Sequence, residues 1–313
     1  MPTGLLLVDK PQGLTSHDVV ARARRALGTR KVGHAGTLDP MATGLLTLGV
    51  GPATRLLTYL VGLDKTYETT MRLGAATTTD DAEGEVVSTA DPAAVAAVID
   101  EALAAGIRDL TGEIDQRPSS VSAIKVDGKR AYDRVRAGEE VELASRRVTI
   151  SAFEVLAVRR ADGGIEVDAR IDCSSGTYIR ALARDLGAAL GIGGHLTALR
   201  RTRVGPFDVA DAVTLEALAE GGPSLLASPA EVAARLFVAL EVDAAQARDL
   251  GHGKLLSLPE HPDAEPVAAI ERGVGGEHPD RLVALISVRQ GRGRTLVGFP
   301  IDTAPASAQE AAP

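Results

Sequence analysis

The chain has 313 residues, of which 45% are hydrophobic and 24% charged, with a formal net charge of −8 and a single cysteine, Cys173. That is enough apolar material for one large core and a smaller second one, while a lone cysteine excludes an intramolecular disulfide framework and points to a reducing, cytoplasmic setting. The apolar run Leu5 to Val8 lacks the basic lead-in of a signal peptide, and no stretch approaches the roughly 20 apolar residues that span a bilayer.

In chain order, residues 4–8 read as a buried strand closed by the turn at 9–13. Thr15 or Ser16 then caps a helix to about Leu27, with Val19, Val20, Ala23 and Leu27 facing inward. Residues 33–46, G-H-A-G-T-L-D-P-M-A-T-G-L-L, form a turn-rich segment that runs into an apolar strand. Its glycines and Pro40 permit or force backbone angles that ordinary residues avoid, so it reads as a shaped loop able to aim a side chain. Pro40 biases Asp39 away from the helical region, and Leu38 and Met41 would shield its carboxylate from water. A short helix follows at 52–60, carrying Arg55.

Residues 65–73 alternate as a strand, with Tyr67, Thr69, Met71 and Leu73 on the inner face. The acidic string 77–84, T-T-T-D-D-A-E-G, lacks the ligand spacing of a calcium loop and reads as a strand connector. A single helix is expected over 92–110, on a stripe of Val95, Val98, Ile99, Leu103 and Ile107. A basic segment begins at 117, and strands at 147–158 and 165–173 form a hairpin. The second of these strands delivers C-S-S-G-T-Y-I-R, 173–180, into a Ser- or Thr-capped helix to Leu190. Residues 191–207 hold G-H-L-T-A-L-R-R-T-R-V-G-P-F. Short apolar runs from about 240 suggest a small β-barrel, and the Ala- and Pro-rich 303–313 a disordered tail.

Charge is unevenly spread. Residues 1–60 carry seven Lys/Arg against three Asp/Glu, 117–160 ten against six, and 176–206 five against one, whereas 61–116 carries three against twelve. The basic excess coincides with the motif-bearing segments, so a locally positive face able to meet phosphates is compatible with an acidic whole. No Walker loop, dinucleotide fingerprint or zinc spacing is present, and no metal or cofactor is expected.

Four of these strings, in the same order, resemble the motifs of the bacterial TruB-type tRNA pseudouridine synthases: D-K-P-x-G-x-T-S with the 33–46 loop, D-K-x-Y at 64–67, G-T-Y-I-R at 176–180, and the segment around Leu199. The resemblance implies an α+β pseudouridine synthase fold: a mixed, mainly antiparallel central sheet flanked by helices, with a small C-terminal β-barrel of the PUA type. It implies a catalytic domain over 1–236 containing an RNA-clamping loop at about 117–146, a β domain over 237–300, and a tail from 301.

In that reading Asp39 is the nucleophile and Arg180 pairs with it. Tyr67 stacks on the target base and assists proton removal from the sugar, and Tyr178 and Leu199 contact the uridine. His34 fills the space the flipped base leaves. Arg55, Lys125, Lys129, Arg130, Arg134, Arg136, Arg200, Arg201 and Arg203 are candidate RNA backbone contacts. The implied partner is the T-stem-loop of tRNA, bound by a monomer that converts uridine 55. A non-catalytic RNA chaperone, and a synthase acting on another RNA, are the alternatives.

Overall fold

The computed structural model describes residues 1–119, 144–273 and 279–300, and the backbone alone of 125–126 and 129–130. Most of the clamping loop assigned to 117–146, and the tail from 301, therefore lie outside the described residues.

Two sheets organise the chain. Strands β1 (Gly4–Lys10), β2 (Val32–Ala35), β3 (Thr43–Val50) and β4 (Lys65–Leu73) belong to the larger. A small separate pair, β5 (Ala75–Thr77) with β6 (Val86–Thr89), follows β4, and β7 (Gly112–Gln116) rejoins the larger sheet at one edge. The two-residue strands β8 (Lys125–Val126) and β9 (Lys129–Arg130) pair with each other. The larger sheet is completed by β10 (Arg146–Ala161), β11 (Gly164–Cys173), β12 (Gly194–Val204) and β13 (Phe207–Asp208).

Its order is β1-β3-β12-β4-β11-β10-β7, with β2 on β3 and β13 on β12. Every pairing is antiparallel except β3 with β12, so the sheet is mixed and mainly antiparallel, as expected. The β10–β11 hairpin turns at Asp162 and Gly163, both at positive φ, as a tight two-residue turn requires.

The parallel contact places Arg200 opposite Thr43 and Arg201 opposite Gly44. Gly44 has φ +97°, and a Cβ there would lie 2.2 Å from the Arg201 carbonyl oxygen. Only glycine lets the strand leaving the Asp39 loop approach β12 this closely, and that approach brings two distant motifs together.

The main core lies under this sheet. Val19, Val20, Ala23 and Leu27 of the Ser16–Ala26 helix and its C-cap meet Leu6, Val8 and Leu46, and Leu182 and Leu186 of the Ile179–Ala189 helix lie in the same cluster. Thr15, not Ser16, caps the first helix, in a capping box with Asp18.

Where one helix was expected over 92–110 there are two, Pro92–Ala96 and Asp100–Asp109. Ile99 adopts an extended conformation between them and is 64% exposed, so it leaves the expected apolar stripe. Asp100 and Glu101 follow at the new N-terminus, where the helix dipole favours acids. The expected helix at 52–60 is a 3₁₀ turn, Gly51–Leu56, continued by one α turn, Leu57–Val61.

The second sheet takes β14 (Val238–Val242), β15 (Leu256–Ser257), β16 (Ala264–Glu271), β17 (Arg281–Arg289) and β18 (Arg292–Gly298) in the order β14-β16-β17-β18-β15, curled as a half-barrel. One hydrophobic cluster joins it to the first sheet. Leu5, Leu45, Leu56 and Phe207 share that cluster with Ile270, Leu282, Leu285 and Phe299, bridged by Val232 and Ala233 of the Pro229–Leu236 helix. No helix among the described residues is long and apolar enough to cross a membrane.

Candidate active site

The Asp39 loop is pinned from below by the turn after β1. Buried Ser16 accepts the Leu38 N–H at 2.9 Å and donates to the Leu38 carbonyl at 3.1 Å. Gly13 N–H donates to the Pro40 carbonyl at 2.8 Å. Lys10 is fully buried, and its ammonium donates to the carbonyls of Pro11, Leu14 and Pro40. Burial pushes it down to about 8. Three carbonyls use all three of its protons, which lets a cation sit under the loop without a contacting carboxylate.

Asp39 stands at a cleft of ≈ 330 Å³ lined also by Leu38, Lys65, Tyr67, Tyr178, Arg180, Leu199 and Arg201. Leu38 and Met41 are buried as expected, yet the Asp39 side chain is 39% exposed and opens into this cleft. Its Oδ2 lies 3.0 Å from Arg180 Nη2. Tyr67, 7% exposed, comes from the inner face of β4, and Leu199 from the neighbouring β12. Burial raises the pKa of Tyr67, and that of Tyr178 for the same reason, so both phenols stay protonated at neutral pH. The motif residues Asp39, Tyr67, Tyr178, Arg180 and Leu199, drawn from four separate strings, thus meet around one cavity.

His34 lies outside the lining of that cleft, on β2, with its ring edge-on to His17 at 5.5 Å between centroids. Burial, then the charges of His17 and Arg201, lowers its pKa, so the ring is neutral at physiological pH.

Arg201 corrects the sequence reading. It is 1% exposed, and its guanidinium donates to the carbonyls of Leu45 at 2.7 Å and Gly36 at 2.8 Å, so it reaches no phosphate. It ties the two ends of the Asp39 loop together. Strand alternation held the signal: Leu199 and Arg201 are two residues apart and share the cleft face. Arg200, on the opposite face, pairs bidentately with Asp9 at 2.7 and 3.0 Å, and Arg203 pairs with Asp64 at 2.7 Å. Arg55 is exposed and donates to the Gly298 carbonyl on β18. The side chains of Lys125, Lys129 and Arg130, and all of Arg134 and Arg136, lie outside the described residues.

The acidic connector holds a residue that the sequence reading missed. Asp81 is 3% exposed and accepts from Arg180 Nη1 at 3.1 Å, while the Thr79 carbonyl accepts from the same nitrogen at 2.8 Å. Arg180 is therefore held between two carboxylates, one buried and one facing the cleft. Asp80, left-handed at φ 59°, takes Arg184 one helical turn further on, at 3.3 Å.

Lys65 enters the cleft wall from β4, and its ammonium donates to the carbonyls of Val61 and Leu63 at 3.1 and 2.5 Å. Burial first, then the charge of Arg201, pushes it from 10.5 down to about 8. Between those two pH values the unfolded chain binds a proton that the folded one has released. The contribution of Lys65 to stability therefore rises with pH across that window. Urea unfolding of wild type and Lys65→Met at pH 8 and pH 10 should show the difference moving toward wild type by ~1–3 kcal/mol. A flat or falling difference rejects a buried, charged Lys65.

Comparison with known proteins shows the family. A model described as TruB family pseudouridylate synthase (N terminal domain) matches residues 24–179, and one described as tRNA pseudouridylate synthase B C-terminal domain matches 180–222. The "tRNA pseudouridine synthase B" of Leifsonia xyli subsp. xyli is 60% identical over 302 residues, covering 96% of this chain and 97% of that one. The chain belongs to the TruB family. A protein of the same description from Rhodococcus jostii is 60% identical to this synthase over 254 residues, 81% of this chain and 82% of the other. Among solved structures, a chain in the crystal structure of a Cbf5-Nop10-Gar1 complex superposes on the synthase with a TM-score of 0.69 at 25% identity, covering 96% of this chain and 84% of that one.

Proposed function

We propose that this synthase isomerises uridine 55 in the T-loop of tRNA to pseudouridine, with Asp39 as the reacting group. The observation that carries the reading is the Asp39 carboxylate, open to a cleft and 3.0 Å from a buried arginine. In the reaction the bond from ribose C1′ to N1 of the base breaks, the base turns, C1′ bonds to C5, the hydrogen on C5 leaves as a proton, and N1 takes up a proton. Atoms and oxidation state are conserved overall, so the isomerisation needs no redox partner. Attack at C1′, attack at C6 and a glycal route are all open to a carboxylate in this place, and each begins with Arg180 orienting it.

The uridine must leave its stack to reach the cleft, where Tyr67, Tyr178 and Leu199 offer it faces to rest on. A protonated, buried Tyr67 supports the stacking role over proton removal from the sugar. A neutral His34 ring suits the space the base vacates. Arg55, Arg200 and the basic segment from 117 are the proposed backbone contacts. We assign 1–236 to catalysis and 237–300 to an accessory RNA-binding module, and place the enzyme in the cytoplasm as a monomer.

Tritium release from a tRNA transcript labelled at uridine C5 tests this. Wild type should release label from position 55 and none from a transcript with cytidine there. No release at all favours the RNA chaperone alternative, and release from the cytidine transcript moves the target elsewhere.

A further inference from the structure

The Ile179–Ala189 helix was expected to start on a Ser or Thr cap, but its N-cap is Tyr178, whose side chain caps nothing. The peptide is held instead by Gln116, the last residue of β7 and 1% exposed. Its Oε1 accepts the Tyr178 N–H at 2.8 Å, and its Nε2 donates to the Tyr178 carbonyl at 3.0 Å. The carboxamide thus pairs with one residue as a neighbouring strand would, and fixes Tyr178 at φ −106°, ψ 106°. Across the ladder Gln116 stands opposite Arg146, whose guanidinium carbon lies 5.2 Å from the centre of the Tyr178 ring. One rung of β7 and β10 therefore grips both the backbone and the ring of the same tyrosine.

We propose that Gln116 is a positioning residue for catalysis, setting the Tyr178 ring and, two residues on, the Arg180 guanidinium relative to Asp39. This rests on the reading of the cleft as the uridine site. A buried amide that only filled space could be replaced by an apolar side chain of the same length. One that matches the donor and the acceptor of a single residue cannot, because both would lose their partners. A displacement of under an ångström at Tyr178 moves a cleft wall and the hand that holds the carboxylate.

Gln116→Met and Gln116→Glu test this in single-turnover assays at saturating tRNA from pH 5.5 to 8, alongside tRNA affinity and thermal melting. The Met variant should react about 10-fold or more slowly than wild type while binding tRNA within roughly 2-fold. The Gln116→Glu carboxyl has the shape of the amide. When protonated it again donates to the Tyr178 carbonyl and accepts the N–H; when ionised it faces that carbonyl with a like charge. Its rate relative to wild type at the same pH should therefore climb as pH falls.

A Met variant as fast as wild type overturns the proposal. So does a Glu-to-wild-type ratio that is flat with pH, or a loss that merely tracks the unfolded fraction. An inactive wild type would instead overturn the reading of the cleft, leaving the two failures distinct.

Discussion

Asp39→Asn should abolish pseudouridine formation, with a single-turnover rate down by ~10⁴-fold or more and tRNA binding little changed. Asparagine has the size of aspartate, and its carbonyl oxygen can still accept from Arg180 Nη2, which holds Oδ2 at 3.0 Å in the native site. The loop should survive as well, since Ser16, Gly13 and Lys10 hold it through the backbone of Leu38 and Pro40 and not through the Asp39 side chain. What is lost is the anionic oxygen on which each of the three proposed routes depends. Rapid-quench assays on a tRNA transcript, with filter binding in parallel, measure both quantities. Turnover within ten-fold of wild type would remove Asp39 from the chemistry, and the proposed mechanism with it.

The second large effect is expected at Arg180, and it has two separable parts. The Arg180 and Asp81 side chains are 5% and 4% exposed and 3.1 Å apart, whereas Asp39 remains open to the cleft. Arg180→Met leaves the Asp81 carboxylate buried without its partner, which costs ~3–5 kcal/mol of stability. It also frees Asp39 from its orienting charge, which should slow the reaction by about 10²–10³-fold. Adding Asp81→Asn removes the stranded charge, so the double variant should regain most of the stability and none of the rate. Urea titration and single-turnover assays on wild type and the two variants separate the parts. If Asp81→Asn restores activity to Arg180→Met, the arginine acts on the fold alone.

This arrangement shows what was legible in the sequence. The Asp39 loop, Tyr67 on the inner face of β4, and Tyr178 and Arg180 at the head of a helix could be placed because local rules govern them: turn glycines, two-residue alternation, and motif order. Asp81 could not. Its string of threonines and acids reads as a solvated turn, and only the tertiary structure carries it to an arginine 99 positions away. Gln116 was silent for the same reason, with its partner 62 positions on. Arg201 was misread because three arginines in four positions look like a basic edge, when the strand sends one of them inward. The break at Ile99 was missed because apolar spacing continued across it, although the acids at 100 and 101 marked a second start.

The cluster that runs from Leu5 and Phe207 to Ile270 and Phe299 limits how this enzyme can be dissected. A fragment ending at Leu236 would keep every group around Asp39, yet it would bare an oily flank that the half-barrel now covers, and so invite aggregation. The half-barrel is in this sense a lid on the scaffold as much as the RNA-binding arm proposed for it. Trimming it would confound loss of solubility with loss of recognition.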